Sequence, residues 1–349
     1  MTAPVIHWFR RDLRLADNLA LRAALSTGAP VIPLFVFDPA LLGGERFSAA
    51  RLAFMLDGLR ALDRALRDYD TRLLIRHGDP LRVIPQLVGD VGASAVYFNR
   101  DYSPYAVRRD QALEAELSIP IYGFDDAMIH PPDAITKKNS DAPYSVYTPF
   151  KKQWLKLEKP PIAAGAIEGR QFHKLDDIDT PDVPTLADLD VAPTITVPPA
   201  GEQVAMQRLR EFLDSAVYQY GEGRDRLIAD PFVAEPPAGT AYLSPYFRFG
   251  MLSPRQAYHA AQTAARNAPD QAGHESVATW VSELIWREFY MQILYHNPQV
   301  LTTSYRPEYE QVAYLHDPDG LVAWQQGQTG YPIVDAAMRQ LNTCLLYTS

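Results

Sequence analysis

Short apolar runs separated by longer amphipathic stretches dominate the N-terminal part of the chain. Val5–Phe9, Val31–Phe37, Leu73–Ile75, Ala95–Phe98 and Ile119–Tyr122 are brief and rich in Val, Ile, Phe or Tyr, as expected of strands buried on both faces. Between the second and third runs, Ala49–Tyr69 places Leu52, Met55, Leu59, Leu62 and Leu66 at helical spacing. Strand, helix and strand in succession predict parallel pairing in a doubly wound α/β sheet. Ligands of such sheets sit beyond the carboxyl ends of the strands, where the chain puts Asp38 and Asp101. No Gly-x-Gly-x-x-Gly loop follows any of these runs, so the usual dinucleotide fingerprint is absent.

The pattern then changes. Prolines punctuate residues 132–200, among them Pro181, Pro184, Pro193, Pro198 and Pro199, which predicts a long connector with some helix near Trp154. From about Glu202 the period is helical, in Val204–Phe212, Pro254–Asn267 and Val277–Tyr295. The predicted organisation is an α/β domain over 1–131, a connector over 132–200 and an all-α domain over 201–343.

Composition changes this picture little; charge changes it more. The 349 residues are 47% hydrophobic and 21% charged, enough to bury a large core. No apolar run reaches the length of a membrane span, and no basic segment followed by an apolar one opens the chain. The one cysteine, Cys344, excludes a disulfide within the chain, and a cytoplasmic location is expected. No metal site is expected. A net charge of −9 argues against nucleic acid as a partner, since such proteins usually carry a basic footprint. All seven lysines fall between Lys137 and Lys174, and residues 201–349 hold ten arginines against sixteen acids. A grip on DNA would then rest on a few placed arginines.

The segment richest in chemistry is Trp280–Tyr290. On a helix, Glu283, Trp286, Arg287 and Tyr290 fall at i, i+3, i+4 and i+7, which is one stripe. Val281, Leu284, Ile285 and Phe289 make the rest apolar, as in a buried helix. Buried Glu and Arg must be paired or met by a ligand. One reading is a structural ion pair between Glu283 and Arg287 with aromatic packing. The other is a cavity lined by an acid, a flat aromatic and an arginine, suited to a planar guest such as a base or a flavin.

Residues 283–290, Glu-Leu-Ile-Trp-Arg-Glu-Phe-Tyr, resemble the substrate helix of the class I cyclobutane-pyrimidine-dimer photolyases, in the DNA photolyase/cryptochrome family. Other stretches agree in order. They are His7–Arg14, Tyr144–Phe150, Tyr220 with Arg224-Asp225 and Gly239–Tyr246, Phe249–Arg255, and Trp324, Gly327 and Thr329–Arg339. The resemblance runs from residue 6 to about 343. It implies light-driven repair of pyrimidine dimers in DNA by electron transfer from excited, reduced FAD, with the cofactor supplying the electron chemistry. It also implies damaged DNA as partner, with the dimer drawn out of the helix, and a monomer.

The resemblance further implies site residues. Tyr220, Thr240, Leu243 and Ser244, with the backbone of Ala241 and Tyr242, would hold the FAD phosphates and ribitol near the start of a helix, a natural anion site. Relatives often have Ser-Arg where this chain has Ala241-Tyr242. Simple N-capping by Thr240 and Ser244 is the plainer alternative. Arg287 would sit near the flavin. Glu283 would hydrogen-bond the damaged bases and stabilise charge on them, and Trp286 would pack flat against them. Arg224 could contact a DNA phosphate, and Tyr290 completes the DNA-facing stripe. Tyr314 stands at the surface end of an aromatic electron relay, where relatives usually have Trp. A second, antenna chromophore is implied for the α/β domain. Tyr105-Ala106 replaces the Asn-Glu pair of a folate-type pocket, whereas Asp38 and Arg51 look more like a deazaflavin-type pocket.

After Thr343 relatives continue into Gly-Trp-Met-His-Asn-Arg, whereas this chain reads Cys344–Ser349. Residues 344–349 are expected to be a non-native tail on a truncated helical domain that binds FAD weakly or not at all. Two competing expectations stand beside repair. One is a cryptochrome-type blue-light photoreceptor. The other is a non-catalytic nucleotide-binding module, which the acidic charge favours.

Overall fold

A computed structural model describes the chain except for residues 1, 44–46, 139, 176–177, 193–194, 226–238 and 344–349. The predicted non-native tail thus lies outside the described residues. Five parallel strands form one sheet: β1 (Val5–Phe9), β2 (Val31–Phe37), β3 (Leu74–His77), β4 (Ala95–Asn99) and β5 (Ile121–Phe124). Their order is β3-β2-β1-β4-β5, the doubly wound arrangement predicted. Helices α1 (Leu19–Ser26), α2 (Pro39–Leu42), α3 (Ala49–Arg67), α4 (Pro80–Val91) and α5 (Pro104–Glu116) make the crossovers. Every residue of β1, β2 and β4 is buried. Alternation sends Val5 and Phe9 into a core shared with the helical domain, and Ile6 and Trp8 into a smaller core on the opposite face.

The boundaries of β3, β4 and β5 move from their predicted places, β4 only by running one residue further to Asn99. β3 extends past Ile75 because Arg76 and His77 pair with Val36 and Phe37, and backbone pairing does not require apolar side chains. β5 begins at Ile121 rather than Ile119, just after Pro120, which has no N–H to give a ladder.

The connector lies along the sheet and the helical domain. Its helix α6 (Tyr147–Lys156) buries Phe150 and Trp154. Farther on, Phe172 forms a parallel bridge with Val31, and the His173 N–H donates to the Val31 carbonyl at 2.9 Å. The Ile75 N–H donates to the Thr180 hydroxyl, and the Arg76 guanidinium to the Asp179 carbonyl, both at 2.9 Å.

The helical domain comprises α7 (Glu202–Asp214), α8 (Tyr220–Gly223), α9 (Ser244–Arg248), α10 (Pro254–Arg266), α11 (Gln271–His296), α12 (Pro318–Gln326) and α13 (Pro332–Thr343). The long α11 runs through its centre, packed by α6, α8 and α10. Among the described residues, no helix is long and apolar enough to cross a membrane.

The two domains meet through buried charge and tight backbone contact. Arg14 and Arg255 are each 1% exposed, and Asp17 and Asp126 are 1% and 2% exposed. Asp126 binds both arginines at 2.5 Å, and Asp17 binds Arg255 at 3.1 Å. Every charge in this group has an opposite partner, which such burial demands. Beside it, the turn after α9 presses on the end of β1. The Leu13 N–H donates to the Phe249 carbonyl, and Arg14 donates to the Gly250 carbonyl, both at 3.0 Å. Gly250 has φ +61°, and a Cβ there would lie 2.1 Å from the Arg11 carbonyl oxygen. Only glycine fits.

Candidate functional site

The predicted site residues separate into an open face on α8 and α11 and a cleft at the domain junction. On the open face, two glycines set the geometry. Gly239 has φ +78°, and its backbone approaches Gly223 so closely that a Cβ would fall 2.3 Å from the Gly223 carbonyl carbon. This contact docks the Thr240–Ser244 loop beside α8, one residue from Arg224. Arg224 donates to a Glu283 carboxylate oxygen at 2.7 Å. Its guanidinium also stands 5.8 Å from the ring centre of the buried Tyr220. Burial, and then the Glu283 charge, push the Tyr220 phenol up.

Within the loop, Ala241, Tyr242 and Leu243 are buried. Tyr242 has φ +48°, a conformation uncommon for a residue with a side chain and one that gathers at ligand sites. α9 starts at Ser244, with Leu243 as its N-cap residue and no side-chain cap. The plainer alternative, capping by Thr240 or Ser244, is therefore corrected. Neither hydroxyl is spent on the helix, and in its first turn, where Pro245 has no N–H and Phe247 donates to the Leu243 carbonyl, the Ser244 and Tyr246 N–H groups remain for an anion. Hydroxyls and backbone N–H groups around a buried turn are a donor set that fits the phosphates of FAD.

The stripe predicted on α11 is present, but its members face different partners. The predicted Glu283–Arg287 pair does not form: Glu283 bonds Arg224, and Arg287 donates to the Ala127 carbonyl at 2.6 Å. Arg287 stands against the Phe247 ring, and burial pushes its pKa down to about 10. The acid, aromatic and arginine thus share a face only with Arg224 as the arginine. Glu283 and Arg224 are about two-fifths exposed, with side-chain values of 41% and 39%, so this face is open rather than an enclosed cavity.

Trp286 stacks on Tyr147 of α6 with ring centres 3.5 Å apart and planes 6° from parallel. Tyr290 lies 5.5 Å from Trp286 at 20°. The Tyr147 hydroxyl donates to the Ser282 carbonyl at 3.0 Å, and Lys151 donates to the Ser282 hydroxyl at 2.6 Å. Burial pushes the Tyr147 phenol up to about 12. Below, the buried Glu288 carboxylate accepts from the Ile129 N–H and from the Trp154 indole N–H, the latter at 2.6 Å. It ties α11 to the connector. Tyr314 is 74% exposed and makes no ring contact among the described residues.

The junction cleft holds about 480 Å³, open mouth included, and its lining includes Arg10, Arg11, Asn99, Asp101, Phe247 and Arg287. It lies past the ends of β1 and β4, where the strand order reverses, the place such sheets bind ligands. Glu283 and Trp286 do not line it. Arg11 is the first cause that pushes the Arg248 pKa down to about 9; burial follows, and Arg51 and Arg287 add to it against Asp101. Burial pushes the Asp101 carboxyl up, but Arg11, the Ser103 N–H, Arg10 and Arg248 together hold it well below the usual range. Asp38 caps α2, accepts from the Tyr105 hydroxyl at 2.5 Å and lies 3.9 Å from Arg109. Arg11, Arg248 and the Tyr147 stack were not singled out from the sequence. The dense charge of Arg10-Arg11-Asp12-Leu13-Arg14 directly after a buried strand was the available signal for the first.

Residues 5–166 match the family DNA photolyase, and residues 280–344 match the FAD binding domain of DNA photolyase. The chain is 39% identical, over 98% of its length, to a deoxyribodipyrimidine photo-lyase of Synechococcus sp.. It is 37% identical, over 96% of its length, to one of Halobacterium salinarum. It covers 70% of each of these relatives. A class III photolyase from Agrobacterium tumefaciens superposes with a TM-score of 0.83 at 32% identity, covering 98% of this chain and 69% of that one. The chain belongs to the DNA photolyase/cryptochrome family, and its α/β domain, connector and helical domain are the photolyase fold.

Proposed function

We propose that the chain is a deoxyribodipyrimidine photo-lyase that repairs pyrimidine dimers in DNA with FAD and light. One observation carries the reading: an unbroken run of contacts from the Thr240–Ser244 loop through Gly239 and Gly223 to Arg224 and Glu283. It supports reading the loop as a phosphate-type cradle close to the acid and the flat aromatic of α11. The names of the relatives support the same activity.

Reduced FAD, excited by blue light, would supply one electron to the dimer. The protein's residues bind and orient. The Tyr220, Thr240 and Ser244 hydroxyls and the backbone from Ala241 to Leu243 would hold the FAD phosphates and ribitol. Arg224 would take a DNA phosphate and, in leaving Glu283, free that carboxylate for the edge of the damaged base. Trp286 would pack against the base plane, with Tyr290 beside it. Arg287, predicted near the flavin, would brace α11 against Ala127. Starting from reduced FAD, the reaction does not need Tyr314.

An antenna chromophore in the α/β domain is part of this reading. Several arginines around one aspartate make the junction cleft attractive to an anion, and Arg51 belongs to that charge cluster. Asp38 and Arg51 favour a deazaflavin over a folate. The enzyme would act as a cytoplasmic monomer. Its class I assignment rests on the Glu283–Tyr290 motif; the likeness to the Agrobacterium class III photolyase favours class III as the second reading.

The direct test is to load the full-length gene product with reduced FAD and illuminate it with an oligonucleotide carrying a thymine dimer. Dimer loss in blue light and none in darkness is the expected result. Flavin binding without repair would support the photoreceptor reading. Binding of neither flavin nor DNA would support the nucleotide-binding module.

A further inference from the structure

Trp286 has a ring on each side. Tyr147 covers one face at 3.5 Å, and Tyr290 leans over the indole at 5.5 Å and 20°. No ring contact joins Tyr147 to Tyr290 among the described residues. Two rings stacked on one side of an indole would touch, so the two tyrosines lie on opposite faces. The chain without DNA therefore carries a filled aromatic sandwich where a lesion base is to pack.

The two outer rings are held very differently. Tyr147 is half-buried, comes from another helix, and is tethered by its hydroxyl to the Ser282 carbonyl. Close face-to-face contact is not the preferred aromatic geometry, so the α6–α11 packing and this tether fix it. Tyr290 is 63% exposed and makes no hydrogen bond among the described residues. An exposed side chain with no tether changes rotamer within nanoseconds at little cost.

Resting on the repair reading, we infer that Tyr290 is a stand-in that a flat pyrimidine pair displaces from the outer face of Trp286. Tyr147 is the positioning residue that holds the indole against it from behind. Tyr290 then sets specificity. An intact, stacked base offers no plane to replace the tyrosine, whereas an extruded dimer does.

Two measurements test this. The first needs no DNA function: acrylamide quenching of Trp286 emission, taken as the difference between the chain and its Trp286→Phe variant. Tyr290→Ala should raise the quenching constant about twofold or more by uncovering one face, while Tyr147→Phe should leave it unchanged. A Trp286 already freely quenched in the parent chain overturns the sandwich.

The second is equilibrium binding of a duplex with one thymine dimer and of the same duplex undamaged. Removing the competing ring in Tyr290→Ala should tighten dimer binding about threefold, and losing the backing ring in Tyr147→Ala should cut the damaged-to-undamaged preference about tenfold, both within the range for an aromatic stack. Tyr147→Phe keeps the ring and should restore the preference. If Tyr290→Ala weakens dimer binding as Trp286→Ala does, Tyr290 is a contact and the inference fails. If the parent chain shows no preference for the dimer, the repair reading fails, and the quenching result still decides the sandwich.

Discussion

At the domain junction, Arg14 and Arg255 are 1% exposed and share Asp17 and Asp126. On the open face, Arg224 and Glu283 are 39% and 41% exposed and share one contact at 2.7 Å. The residue types are the same, but the surroundings reverse their roles. Away from water, each junction charge is worth keeping only because its partner is fixed, so the group acts as a lock. In water, the Arg224–Glu283 pair is weak and can be exchanged for a phosphate and a base. The contrast teaches that burial, not residue type, separates the charges that hold this molecule together from those it can offer to a ligand.

The largest test of this contrast is Asp126→Ala, which leaves two buried guanidiniums short of a partner. It is expected to lower stability by about 3–5 kcal/mol in urea unfolding. Gly250→Ala attacks the same joint through the backbone, forcing a side chain into positive φ and towards the Arg11 carbonyl. It should cost about 2–3 kcal/mol by the same measurement.

Third is a pH effect at the junction end of the sheet. Burial pushes the Asp12 carboxyl up, but the His7 ring 3.6 Å away, the Arg10 N–H and the Asn99 amide together hold it down at about 2. A depressed carboxyl stabilises the fold above its unfolded pKa, and the contribution is lost as pH falls through the folded value. Between pH 4 and 2 the chain should therefore lose about 2 kcal/mol more than an Asp12→Asn variant. Equal losses in the two chains would remove Asp12 from the account. The smallest effect belongs to the open face. Arg224→Ala should change stability by at most about 1 kcal/mol, while lowering the salt slope of DNA binding by about one. A large stability loss there would erase the comparison.

Most of the α/β domain was legible because β1 and β2 are buried on both faces, and their apolar runs coincide with the strands residue for residue. β3 and β5 drifted where hydrogen bonding decides the boundary and side-chain polarity does not. The Glu283–Trp286–Tyr290 stripe was readable from helical spacing alone. The partner of Glu283 was not. Spacing offered Arg287 at i+4, but that side chain leans into the junction, where the Ala127 carbonyl holds it. Arg224 is 59 residues away in sequence, and only the fold brings it near. For the same reason the stack of Tyr147 on Trp286 was invisible: it depends on how the connector returns to α11.

That return has a consequence for solubility. By pairing Phe172 with Val31 at the start of β2 and giving the Thr180 hydroxyl to the Ile75 N–H of β3, the connector covers part of that side of the sheet, which would otherwise expose unpaired backbone groups. Bare edges of this kind invite strands from other molecules. A protease cut between residues 160 and 180 would thus do more than loosen a tether. It would open a seam along which the sheet could recruit copies of itself and precipitate.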